Sequence, residues 1–209
     1  ALQPHKVTFA HDVEYQPDLL SAIDAIKPTV LIGVSTIHGA FDERVVRKMA
    51  ALNPRPIIMP LSNPTSKAEC TFEQAVTWTD GRAVFASGSP FPAMTYRGKT
   101  LHPAQANNAY VFPALGHAAV LAGAREVSDD AFLAAAEALS AMTTEAELAA
   151  GKLFPDFDSI REVSHDLTAR VCELMERDGQ GVKPAGVMDW KKYVDSQFWE
   201  PEPETPSKL

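Results

Sequence analysis

Thr29-Val30-Leu31-Ile32-Gly33-Val34 is an unbroken apolar and β-branched run after Lys27-Pro28. Such a run is the pattern of a parallel strand buried on both faces, so it is expected at the centre of its sheet. From Asp42 to Leu52 the period changes: Val45, Val46, Met49 and Leu52 recur at helical spacing before Asn53-Pro54 stops the run. Pro56-Ile57-Ile58-Met59-Pro60 reads as a second buried strand, and Ala83-Val84-Phe85-Ala86, after the Asp80-Gly81 turn, as a third. Between them Thr71-Phe72-Glu73-Gln74 has the form of a capping box and opens a short helix through about Trp78. Strand and helix alternating in this order predict an α/β fold, a doubly wound, Rossmann-like parallel sheet.

Beyond the third strand the composition turns to Ala, Leu and Glu, and helices are expected over 107–123, 128–141, 144–150 and 159–178. Ser128, Thr144 and Ser159 stand as N-caps, with capping boxes at Thr144/Glu147 and Ser159/Glu162. A last helix runs from Asp189 to Gln197, and the Pro-rich end reads as a surface-lying or frayed tail. The expected division is a sheet domain over 1–125, a helical C-terminal extension over 126–198 and a tail over 199–209.

The net charge of −8 without any Lys/Arg run argues against a nucleic-acid groove, which needs clustered cations. A small anionic ligand remains compatible, because local donors matter more than total charge. Cys70 and Cys172 form neither a C-x-x-C motif nor a disulfide framework and suit a reducing compartment. No apolar run approaches the roughly 20 residues of a membrane span, and the start has no signal-peptide core. The expectation is a soluble intracellular protein. A first residue other than Met adds the expectation that the chain is a piece of something longer.

Three polar stretches carry the candidate chemistry: Leu61 to Ser66, Phe85 to Phe91 and Gln105 to Asn108. The first two follow predicted strands, and ligands of open α/β sheets bind at the carboxyl ends of the strands. Asn63 is expected on the floor of that crevice with its amide donors and acceptor free for a carboxylate or hydroxyl; an Asx-turn that merely closes the strand is the alternative. Asn107-Asn108 opens an apolar helix, so one amide can cap it and the other remains for a ligand. Gly88, within Ser87-Gly88-Ser89-Pro90, allows close backbone approach; the G-x-S-x-G elbow of serine hydrolases is absent. The loop Gly33 to Gly39 has the position to contact a cofactor, yet is neither a Walker A loop nor G-x-G-x-x-G. None of the six histidines has ligand spacing, and Glu137, Glu145, Glu147 and Glu173 read as solvated helix faces, so no metal site assembles.

Ile26 to Gly33, Leu61 to Thr71, Gly81 to Phe91 and Asn107 to Pro113 resemble malic enzymes in their strings, order and spacing. Gly151 to Pro155 and Ile160 to Ser164 extend the likeness over essentially the whole chain. The resemblance implies oxidative decarboxylation of L-malate to pyruvate and carbon dioxide, with a nicotinamide cofactor taking hydride and Mg²⁺ or Mn²⁺ polarising the C2 oxygen. It implies that 1–125 is part of a nicotinamide-dinucleotide-binding domain. Asn63 and Asn108 match residues that contact substrate; Gly33, Val34, Ser35, Ser62, Asn63 and Asn107 match residues about the cofactor. Lys6 falls where NADP-preferring members carry a lysine for the 2′-phosphate, so NADP is expected rather than NAD; a solvated lysine is the alternative.

The family's acid tyrosine, base lysine, metal ligands and G-x-G-x-x-G loop precede the segment matching Ala1. The chain thus resembles only the C-terminal part of such an enzyme. It is expected to contain no catalytic residue or metal ligand and to be inactive alone. Its expected partners are malate or pyruvate, the N-terminal part of the same enzyme and further copies, because without the first half of the sheet the Thr29–Val34 strand, or its neighbour, is left with an unpaired edge. Neither nucleic acid nor membrane is expected, and cytoplasm, plastid and mitochondrion all remain open. Ala104 and Ala114 stand where the family usually has glycine, which raises an expectation of strain should those positions need positive φ. Two rival readings stay open: a non-catalytic ligand-binding or assembly module, and a fragment of another Rossmann-type dehydrogenase.

Overall fold

The computed structural model describes residues 3–149 and 151–199. Two compact units result, Ala1–Phe91 with Tyr96–Gly98, and Pro92–Thr95 with Lys99–Leu209.

The first unit begins with α1 (Pro4–Val7) and α2 (Leu19–Ile26), both ahead of the first element expected from the sequence. Asp18 caps α2 by accepting from the Ser21 N–H, and Ile23 is its buried residue. There follow β1 (Val30–Gly33), α3 (Glu43–Leu52), β2 (Ile57–Pro60), α4 (Phe72–Trp78) and β3 (Val84–Ser87), the predicted alternation. Asp42 caps α3, and the Thr71/Gln74 capping box forms in full at α4. The strands are parallel in the order β1-β2-β3, with Leu31 beside Ile58 and Ile58 beside Phe85. Those three are buried and, with Val46, Met49, Phe72 and Val76, belong to the apolar core. The architecture is a parallel sheet with helices, Rossmann-like.

One expectation fails here. The apolar run at Thr29 to Val34 predicts a central strand, yet β1 lies at the edge of the sheet and only alternate residues are buried. Val30 is 38% and Ile32 55% exposed. Apolar content records what a residue tolerates; it does not reveal whether this chain supplies the layer that would cover it.

Next along the chain are β4 (Met94–Tyr96) and β5 (Lys99–Leu101), with Arg97 and Gly98 between them both at positive φ. After β6 (Ala104–Gln105) come α5 (Phe112–Leu121), α6 (Asp129–Ala141), α7 (Glu145–Ala149), α8 (Ile160–Arg177) and α9 (Trp190–Gln197). Leu115, Ala118, Ala131, Ala135, Val171, Cys172, Met175, Trp190 and Val194 make one core cluster. Tyr110, Ala114, Leu139, Val163 and Leu167 make another. The Tyr110 hydroxyl donates to the Pro155 carbonyl, and its ring stacks on Phe154.

Ser128 and the Thr144/Glu147 box cap as expected. Ser159 does not: a 3-10 turn, Phe157–Ser159, runs straight into α8 and holds Ser159 at ψ 12°, outside the extended geometry of an N-cap. Its hydroxyl donates instead to the Asp156 carbonyl, so the Ser159/Glu162 box is absent. Ala104 lies in β6 and Ala114 inside α5, and neither is among the described positions of positive φ, so the expected strain does not arise. Among the described residues no helix is long and apolar enough to cross a membrane. The segment 200–209, read as a tail, lies outside the described residues.

Candidate functional site

The carboxyl ends of β1, β2 and β3 carry the candidate site of the first unit. The ladder continues past the strands: the Leu61 N–H donates to the Gly33 carbonyl at 2.8 Å, and the Gly88 N–H to the Pro60 carbonyl at 3.2 Å. Side chains then tie the three loops together. The Ser62 hydroxyl, buried, donates to Glu69 Oε1 and accepts from the Thr36 N–H at 2.9 Å. The Ser35 N–H donates to Glu69 Oε1 at 3.3 Å and the Ser62 N–H to Oε2 at 3.4 Å. Ser89 Oγ donates to Asn63 Oδ1 at 2.6 Å, and Ser87 Oγ to the Ser89 carbonyl.

Thr36 sits at φ +59°, a left-handed conformation that a β-branched side chain rarely adopts. Two hydrogen bonds hold it, the Ser62 hydroxyl at its N–H and its own hydroxyl on the Ser35 carbonyl. Gly33 has no room for a side chain: a Cβ there would lie 2.5 Å from Glu69 Cδ and 2.8 Å from Phe41 Cζ. At Gly88 it would lie 2.2 Å from the Leu61 carbonyl oxygen and 2.8 Å from Asn63 Nδ2, the close backbone approach the sequence anticipates.

Of the predicted cofactor residues, Gly33, Val34, Ser35, Ser62 and Asn63 gather at these strand ends. Val34 is 73% exposed, an apolar surface suited to a flat ring, and Ser35 is exposed beside it. Asn63, preceding a cis peptide to Pro64, is exposed but not free as expected: its Nδ2 donates to the Leu61 carbonyl at 3.3 Å while Oδ1 accepts from Ser89. A carboxamide beside a strand end competes for local backbone partners, which accounts for the Leu61 bond; the Ser89 hydroxyl, from the loop after β3, engages its other end. Lys6 lies in α1, exposed, with no ion-pair partner among the described residues.

In the second unit Asn107 caps the 3-10 turn Asn108–Tyr110 by accepting from the Ala109 N–H at 2.9 Å. Asn108 is exposed, and its carboxamide has no hydrogen-bond partner among the described residues, the division of labour expected of the pair. A groove of about 590 Å³ beside α6 and α8 and a cavity of about 210 Å³ beside Tyr110 contain none of the predicted site residues.

Among the described residues no group of three His, Cys, Asp or Glu side chains can hold a metal ion. His38 bonds the Ala68 carbonyl, and His165 pairs with Asp195 and stacks on Phe198. Burial lowers the pKa of His117, reinforced by His165. Glu69 is the residue that sequence reasoning passed over, and Thr36 entered it only as part of the Gly33 to Gly39 loop. Glu69 is flanked by the small buried Ala68 and Cys70, a faint signal that the whole turn packs inward.

Parallel strands with helices, their terminal loops hydrogen-bonded to one another, define a Rossmann-like α/β unit. The family model for the malic enzyme NAD-binding domain matches residues 1–175, and the chain belongs to the malic enzyme family. It is 47% identical over 201 residues to NADP-dependent malic enzyme 2 of Arabidopsis thaliana, covering 96% of this chain and 34% of that protein. It is 52% identical over 171 residues to NADP-dependent malic enzyme 3 of the same plant, covering 82% and 29%. The chain therefore spans about a third of the length of these curated relatives. Two crystal structures share its fold: malic enzyme of Entamoeba histolytica, with a TM-score of 0.63, 21% identity and coverage of 84% of this chain and 32% of that one, and malic enzyme of Pyrococcus horikoshii, with 0.59, 22%, 80% and 34%.

Proposed function

We propose that this chain is the cofactor- and substrate-binding part of an enzyme that oxidatively decarboxylates L-malate to pyruvate and carbon dioxide with reduction of NADP. The observation that carries the proposal is the 47% identity to an NADP-dependent malic enzyme across 96% of the chain. The linked loops at the strand ends support it too, because five of the residues that the resemblance assigns to the cofactor gather there.

In this reading Gly33, Val34, Ser35, Ser62 and Asn63 of the first unit meet the nicotinamide cofactor, with Lys6 at the 2′-phosphate, and Asn107 is assigned to the cofactor by the family likeness alone. A bound cofactor supplies the hydride acceptor. The exposed Val34 offers a nonpolar wall, the Ser35 hydroxyl a donor, and the engaged carboxamide of Asn63 a preset orientation toward a substrate oxygen. Asn108, whose carboxamide has no partner among the described residues, is assigned to substrate by the family likeness. Among the described residues no group of three His, Cys, Asp or Glu side chains can hold Mg²⁺ or Mn²⁺; this reading assigns the metal ligands, the general acid and the general base to the N-terminal part of the enzyme. The free edge of β1 offers backbone groups for pairing with that part, and homo-oligomers of the intact enzyme follow the same reading. The compartment proposed is inside the cell. The chain alone is expected to be inactive, since carboxamides orient substrate without transferring its protons.

The test is malate-dependent NADPH formation by the intact protein, with Lys6→Gln beside wild type. Loss of the preference for NADP over NAD in the variant supports the assignment. Absence of malate turnover by wild type overturns the reaction, and an unchanged cofactor preference removes Lys6.

A further inference from the structure

Glu69 has no part in that reaction, yet its carboxyl is fully buried at 0% exposure and lies under the loops proposed to hold the cofactor. A buried carboxylate needs partners, and among the described residues none of those of Glu69 is a Lys, Arg or His. Its donors are neutral and come from two loops: the Ser35 N–H after β1, and the N–H and hydroxyl of Ser62 after β2. Ser62 passes the link on to the N–H of Thr36, the residue held left-handed. Gly33 lies so close above the carboxyl that no side chain fits between them. A core built for stability alone favours an apolar residue at such a position. Spanning both loops at their strand ends is what a carboxylate adds.

We propose that Glu69 is a positioning residue, whose carboxylate clamps the Ser35-Thr36 loop to Ser62 and thereby sets the affinity of the enzyme for its nicotinamide cofactor. The identity of that ligand rests on the function proposed above; the clamp itself does not. Glu69→Gln keeps the shape but turns an N–H₂ group toward donors, so at least one link is lost. Ser62→Ala removes both the hydroxyl's bond to the carboxyl and its relay to Thr36, and leaves the two backbone donors to Glu69 in place.

In the intact protein each variant is expected to raise the dissociation constant for NADP about tenfold, while the KM for malate stays within about twofold. The double variant is expected to be little worse than the poorer single one, because both cut the same chain of bonds. Amide hydrogen exchange at Ser35 and Thr36 is expected to accelerate in both. NADP affinity within twofold of wild type in both folded variants overturns the proposal; should Glu69→Gln fail to fold, exchange at the Ser35 N–H, which bonds Glu69 and not Ser62, decides in Ser62→Ala, and an unchanged rate overturns the clamp. Should wild type not bind NADP, the proposed function falls, and exchange then judges the clamp: faster exchange in the variants supports it, and unchanged exchange refutes it.

Discussion

Ser89 donates its hydroxyl hydrogen to the Asn63 side-chain oxygen at 2.6 Å, joining the loop after β3 to the loop after β2. The bond leaves the Asn63 carboxamide one preferred rotation, since its nitrogen is held by the Leu61 carbonyl. Ser89→Ala is expected to cost about 1 kcal/mol of stability or less. In the intact protein it should raise the KM for malate at least several-fold through lost orientation. An unchanged KM in steady-state kinetics would detach Asn63 from substrate.

Gly88→Ala and Gly33→Ala both destabilise, but unequally. At Gly88 the added methyl meets a backbone carbonyl, which cannot turn aside; at Gly33 it meets the Glu69 and Phe41 side chains. Overpacking of this kind costs about 1–3 kcal/mol, with Gly88 at the upper end or beyond. Urea unfolding of the two variants side by side checks the order, and equal midpoints would contradict it.

The thiols of Cys70 and Cys172 are each pushed up to about 12, chiefly by burial, with the charges of Glu69 and Glu173 adding to it. Neither is a thiolate near neutral pH, so both are expected to resist iodoacetamide in the native protein and to react once it is unfolded. Mass spectrometry of labelled native protein reads this directly; rapid modification of either residue would refute it.

Asp42 accepts from the Val45 N–H at the start of α3, and that bond, ahead of its contacts with Arg44, holds its carboxyl below the ordinary 3.8. A carboxylate with a lowered folded-state pKa contributes stability that is complete above its unfolded value and lost as pH falls through the folded one. Asp42→Asn keeps an N-cap side chain but cannot titrate. Thermal unfolding across the acid range should therefore find wild type favoured near neutrality and its advantage shrinking below about pH 4. A pH-independent difference would exclude Asp42 as the source. The effect is small, because the side chain is 43% exposed.

Much of this was legible in residue order. Val45, Val46 and Met49 announced α3, Thr71 with Gln74 announced the start of α4, and the strings about Asn63, Gly88 and Asn107 carried the family. These signals are local: helical period, caps and small residues act within a few positions of one another. Ser159 marks their limit, because its neighbours at 157–158 had already entered a 3-10 turn and denied it the extended backbone a cap needs.

Folding settled the matters that depend on distant partners. Whether β1 is central or peripheral turns on whether a second strand pairs along its other side, and no property of Val30 or Ile32 reports that. Asn63 was available by composition and committed by geometry, its partner lying 26 positions away. Glu69 reads as an ordinary acid until its donor at Ser35, 34 positions distant, is brought against it. Local chemistry specified the elements, while burial and hydrogen bonding between separated segments assigned each polar group its task.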